Sequence, residues 1–224
     1  MSSVLRAPSL IEALSEALRQ QIIRGEITPG LRITEAWVAD RFDVARPTAK
    51  AGLDRLCAEG LLRRGPRRSS VVPLLSAADI ADIYFSRGPV EALAVRTLAA
   101  TKAVPAEAQH ALNLMQLAAE QSAHSDHTEA DVAFHRALVA ATASPRLQRM
   151  HGTVMGEVQL CIAQVRRNAS TDLRELTGRH AAILEAVRAG DPQAAEEALR
   201  TDLDGCRDML IADAAKGESA GVAV

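Results

Sequence analysis

The chain has 224 residues, is 48% hydrophobic but only 2% aromatic, and carries a formal charge of −2. That length holds one small and one medium domain, each with its own core. Abundant Ala and Leu favour helix, and the absence of a long apolar run at the N-terminus argues against a signal peptide or a membrane span. Cys57, Cys161 and Cys206 are far apart, odd in number and form no CxxC pair, which points to a reducing cytoplasm. The charge is split: residues 1–75 hold 12 Lys/Arg against 8 Asp/Glu (+4), and residues 76–224 hold 14 against 20 (−6). A basic head on an acidic body hints at nucleic-acid binding.

Ser9 with Glu12 three residues on fits a capping box, and Leu10, Leu14, Leu18, Ile22 and Ile23 form the apolar stripe of a first helix. Gly25, Pro29 and Gly30 end it. Two short helices follow back to back, at about 34–42 and 46–59. Val38, Ala39 and Phe42 face inward from the first, and Ala49, Leu53, Leu56 and Cys57 from the second. Arg46, Thr48 and Lys50 are left outward at the start of the second helix, where cations and a hydroxyl can meet phosphates or base edges in a major groove. Gly60 stops that helix. Leu61 and Leu62 open a strand, Val71 and Val72 return as its partner, and Arg63, Arg64, Arg67 and Arg68 crowd the turn between them. Four like charges on one turn repel one another unless a polyanion lies nearby. This is a helix-turn-helix followed by a wing; the competing reading is a plain helical hairpin with a solvated charged face.

Ser76 caps the next helix, expected over about 77–103 with Pro89 inside it and a kink near Arg87. Five more helices are expected at about 105–124, 126–143, 145–168, 172–189 and 191–215, with no strand beyond Val72. The predicted fold is mainly α: a winged helix-turn-helix over 1–75, an antiparallel helical bundle over 76–216 and a frayed tail over 217–224.

One constellation in the bundle carries chemistry. Asp131 and His135 are four apart and share a helical face, where a carboxylate and an imidazole can grip one metal ion. His180 and Asp202 lie on two later helices, and bundles build metal centres in this way. By spacing alone the signal is weak, because a His on an apolar face more often satisfies the core than binds a ligand. Phe134, Leu138 and Val139 around His135, and Ile183, Leu184 and Val187 around His180, fit either reading.

The order of elements resembles the GntR family of bacterial transcription regulators, in its FadR-like branch with an all-helical effector domain known as FCD. The resemblance covers about residues 9–215. In the DNA-binding half it rests on Pro29, Gly30, Ile33, Glu35, Val38, Ala39, Val44, Arg46, Lys50, Leu53, Leu56, Glu59, Gly60, Leu61 and Leu62. Arg87, Glu91 and Ala94 match the branch's Arg–Glu–Ala mark, and Asp131, His135 and His180 fall on three of its metal positions. Asp202 stands where the last His is expected. Ala45 replaces the usual Ser, Pro47-Thr48 inverts Thr-Pro, and Ala36 replaces an Arg. Lys50 replaces an Arg and gives up a bidentate fork. Gly52 replaces an Ala, which weakens an isolated helix by roughly 1 kcal/mol.

The resemblance implies a cytoplasmic homodimer that presents two heads to a two-fold operator on double-stranded DNA, most simply as a repressor. The helix from Arg46 enters the major groove and the wing with Arg67 and Arg68 follows the backbone. A small organic acid binds inside the helical domain, with Arg87 as a carboxylate-binding cation, or else with Arg87 in a buried pair with Glu91. A divalent ion (Zn, Mn or Ni) is held by Asp131, His135, His180 and Asp202. Two carboxylates with two imidazoles favour a harder ion than four nitrogens would. The rivals are a metal-free regulator, an architectural DNA-binding protein without effector, and an all-helical metal enzyme. No HExxH or further fixed-spacing base supports the enzyme.

Overall fold

A computed structural model describes residues 9–66, 69–165 and 172–221, with side chains through residue 215. The chain divides into two compact units, 1–74 and 75–224.

The first unit begins with α1 (Leu10–Ile23), opened by the full Ser9/Glu12 capping box. Its stripe of Leu14, Leu18 and Ile22 is buried. A three-residue strand, β1 (Arg32–Thr34), leads into α2 (Glu35–Phe42), where the Thr34 hydroxyl caps the Trp37 amide. Asp43 turns the chain in the left-handed region at φ 50°. Then α3 (Arg46–Ala58) lays Ala49, Leu53 and Leu56 into the core. It ends as expected at a left-handed Gly60, with the Gly60 amide donating to the Cys57 carbonyl and the Leu61 amide to that of Leu56. Phe42 and Cys57, expected inside, are half-buried.

The wing is β2 (Arg63–Gly65) and β3 (Ser69–Val71), but the sheet has three strands in the order β1-β3-β2, all antiparallel. Leu61 and Leu62 precede the strand and are buried in the core. Arg32 ties β1 to the wing, donating from Nε to Ser69 Oγ at 2.8 Å and from Nη2 to the Pro66 carbonyl at 2.6 Å. Gly52, which reads as a weakness, sits where α1 crosses α3. A Cβ there would lie 3.0 Å from Leu14 Cδ2.

The second unit is helical throughout its described residues: α4 (Ala77–Thr101), α5 (Ala106–Glu120), α6 (His124–Ala140), α7 (Pro145–Val165), α8 (Leu173–Ala189) and α9 (Pro192–Gly221). A Ser76/Asp79 capping box opens α4, which stays helical through Pro89. α9 runs on to Gly221, so the tail expected from Gly217 shares its helical backbone. Helix α4 is central, packing on α6, α7, α8 and α9, while α5 packs on α6 and α8. Its inward face is apolar at Ile80, Ile83, Val95 and Leu98 but polar in the middle, at Arg87 and Glu91.

Candidate DNA-reading helix and buried metal centre

In the first unit, Arg46 and Lys50 are exposed and Thr48 is half-exposed at the start of α3. Arg46 has no ion pair among the described residues. Lys50 lies 3.4 Å from Asp54, one turn on, and Arg64 of β2 pairs with the same carboxylate. Such exposed pairs are weak and are readily exchanged for phosphate. Ala45 takes the extended geometry of an N-cap (φ −63°, ψ 144°) but has no side-chain acceptor, so α3 begins uncapped. Arg67 and Arg68 lie outside the described residues. Trp37 is half-buried, with the Arg41 guanidinium 5.2 Å from its ring centre.

In the second unit, Asp131 and His135 on α6, His180 on α8 and Asp202 on α9 converge in the interior, His180 wholly buried and Asp202 1% exposed. His180 Nε2 is 3.0 Å from Asp131 Oδ1 and 3.2 Å from His135 Nε2. Asp202 Oδ2 is 3.5 Å from His135 Nε2. Donor atoms of Asp131, His135 and His180 all fall within 4.8 Å of one another. Helix spacing accounts for the pair on α6, and the packing of α8 on α9 brings in the rest.

The tautomers decide what this cluster can hold. His180 Nδ1 donates to the Leu176 carbonyl one turn back at 2.8 Å. His135 Nδ1 donates to Glu91 Oε2 at 2.7 Å, since a carboxylate there can only accept. Both Nε2 lone pairs are thus turned toward each other and toward Asp131. Two facing lone pairs repel unless a cation or a proton sits between them. Asp202 Oδ2 is buried without any hydrogen-bond partner in the structure, a costly state for an ionised oxygen. Asp131, His135 and His180 fit a divalent ion, which would satisfy their facing atoms at once, and the unpartnered Asp202 oxygen stands beside His135.

The electrostatics lean the same way. Burial opposes charge on His180, but Asp202 and Asp131 outweigh it and push the imidazole up to about 9. Burial raises Asp131, yet the His180 hydrogen bond and its charge hold that carboxyl well below the usual range. Phe134 stacks edge-on against His135 and His180, with ring centres 5.4 and 4.9 Å away, and fixes both planes.

Arg87 of α4 is 2% exposed, and its Nε donates to Glu91 Oε1 at 2.7 Å. Burial opposes its charge, but Glu91 holds it firmly protonated. The Tyr84 ring lies 5.1 Å from its Cζ. Its Nη2 is buried with no hydrogen-bond partner. The pair with Glu91 is thus present, and one end of the fork is free for an anion. Two roles were not legible in the sequence. Glu91 accepts from three side chains, and His151 of α7 gives the third bond, Nε2 to Oε1 at 2.8 Å. His151 lies on α7's apolar stripe with Met155, Val158 and Ile162, and nothing in that spacing marks it apart from a core residue.

Against known proteins, residues 10–72 match the model of bacterial regulatory proteins of the gntR family, and residues 82–205 match the FCD domain. An HTH-type transcriptional regulator from an unstable DNA locus of Streptomyces ambofaciens is 28% identical over 198 residues, 83% of this chain and 78% of that protein. The HTH-type transcriptional repressor RspR of Escherichia coli K12 is 29% identical over 123 residues, 54% of each chain. Among solved structures, a GntR regulator from Rhodococcus sp. RHA1 superposes with a TM-score of 0.76 at 25% identity, over 92% of this chain and 99% of that one. The E. coli McbR/YncC structure shares the fold, with a TM-score of 0.76 at 22% identity over 91% and 98%.

Proposed function

Since this chain belongs to the GntR family of bacterial regulatory proteins and carries its FCD domain, we propose how a DNA-binding transcriptional regulator of this kind couples its two units. The head reads a two-fold operator as one half of a homodimer, with Arg46, Thr48 and Lys50 of α3 in the major groove. Arg67 and Arg68 of the wing neutralise phosphates. The bundle holds one divalent ion on Asp131, His135, His180 and Asp202. When bound, that ion supplies a Lewis-acidic centre for oxygen ligands. The small-molecule effector that FCD domains take is here a small carboxylate, and the free Nη2 of Arg87 is its anchor. Effector binding changes operator affinity, and the outcome is repression. RspR, a similar protein, is named a repressor. The chain acts by binding and not by catalysis, in the cytoplasm. No helix among the described residues is long and apolar enough to cross a membrane.

The observation that supports sensing is the convergence of two Nε2 lone pairs, Asp131 and the unpartnered Asp202 oxygen inside the FCD domain. Two carboxylates and two imidazoles accommodate Mn as well as Zn or Ni. Purified protein should carry one divalent ion per chain by elemental analysis. His180→Ala should lose it, together with the response to effector, and keep operator binding. Dialysed protein that takes up none of Zn, Mn or Ni at micromolar concentration would overturn the metal assignment. A second reading is a metal-free regulator in which His180, set between Asp131 at 3.0 Å and Asp202 at 3.7 Å, does the structural work of the ion. That reading predicts the negative result.

A further inference from the structure

We propose that Glu91 is the positioning residue of the metal centre: its carboxylate fixes His135 in the Nδ1–H tautomer and so turns the Nε2 lone pair onto the ion. The inference rests on the metal reading above, but it concerns a residue that touches no ion.

Glu91 is wholly buried on α4, and its two oxygens do different work. Oε1 takes Arg87 Nε at 2.7 Å and His151 Nε2 at 2.8 Å. Oε2 is given to His135 Nδ1 alone, at 2.7 Å. Arg87 is a donor in every state, and its charge 2.7 Å from Oε1 keeps the group an ionised carboxylate, acceptor-only at both oxygens, so His135 and His151 must donate to it. A charge-assisted bond of this length orients the ring and raises the basicity of its far nitrogen. The partner on His180 is a backbone carbonyl. His135 therefore has the stronger support of the two imidazoles. Its Nδ1 hydrogen bond goes to a side chain, whereas that of His180 goes to the backbone, so substitution can remove the first and not the second. Arg87 and His151 both hold Oε1, which leaves Oε2 to His135 and restrains the carboxylate from swinging off it.

Glu91→Gln tests this. An amide offers one acceptor and one donor in place of two acceptors. If the NH2 faces His135, Nδ1 must accept, the proton moves to Nε2, and the lone pair is lost to the metal. If the oxygen faces His135, the NH2 meets the Arg87 and His151 donors. Zinc affinity, measured by competition with a chromophoric chelator, should fall 10- to 100-fold, about the range for loss of such an outer partner. Because Glu91→Gln leaves Arg87 buried and unpaired and can unfold the chain, a second measurement uses the wild type. Long-range 15N–1H spectra of the zinc-loaded protein should show His135 protonated on Nδ1 and metallated on Nε2. A His135 protonated on Nε2, or zinc affinity equal in wild type and Glu91→Gln, overturns the role of Glu91 while leaving the metal. A wild type that binds no Zn, Mn or Ni overturns the metal reading itself.

Discussion

Ala45→Ser should stabilise the DNA-binding head. Ala45 already has the φ and ψ of an N-cap residue, and its carbonyl accepts the Ala49 amide at 3.0 Å. Pro47 has no amide, so the one orphan donor within reach of a serine at position 45 is Thr48 N–H, the third helical residue. Satisfying it is worth about 1 kcal/mol, within a range of about 0.5–2. For a unit of this size, residues 1–74, that corresponds to roughly 4–8 °C in Tm or about 0.5–1 M in urea midpoint. A two-unit chain need not unfold in one step, so the probe must report on the head alone. Trp37 does so, as the sole tryptophan of the chain and a residue of α2. The assay is urea unfolding followed by Trp37 emission, wild type against Ala45→Ser, with far-UV circular dichroism to follow the helical bundle separately. An unchanged or lowered Trp37 midpoint would refute the argument, because it would mean that the Thr48 amide already has a partner in solution.

Arg46→Ala should cost about 1–3 kcal/mol of operator affinity and relax sequence preference, as read by titration against operator and scrambled duplexes. Equal operator affinity would remove α3 from the groove. Arg67→Gln with Arg68→Gln should lower the slope of log K against log salt by up to about two phosphate contacts and leave sequence preference alone. An unchanged slope would mean that the wing makes no phosphate contact. Burial pushes the Cys161 thiol up to about 12, so at pH 8 roughly one in ten thousand is thiolate. Iodoacetamide should leave Cys161 unmodified in native protein and modify it in urea, as peptide mass mapping would show. Rapid native labelling would contradict its burial.

The division into reading head and sensing bundle was legible because both depend on long periodic segments. The stripe of α1, the paired short helices and the Gly60 stop all carry their geometry in local spacing. The same holds for Asp131 and His135, one turn apart. The strand β1 was not legible, since three residues, Arg32–Thr34, are too few to show an alternation. It exists because β3 offers a free edge and Arg32 reaches across to Pro66. Leu61 and Leu62 read as strand because they are apolar beside a turn, but the core claims them first. Gly52 looked like a loss of helix propensity; tertiary packing explains it, because Leu14 fills the space a Cβ would need. The Glu91 network could not be found from spacing. Its three donors come from positions 87, 135 and 151, and only the first is a helical neighbour.

The buried cluster of Asp131, His135, His180 and Asp202 also has a direction in time. The head's last strand ends at Val71, whereas Asp202 lies near the middle of the final helix. A ribosome adding about 5–20 residues each second needs on the order of ten seconds to pass from one to the other. During that interval the nascent chain already has every residue of its helix-turn-helix unit, while Asp202 has yet to be translated. On the reading proposed above, each new copy has its reading residues before it has the residues that would hold the ion.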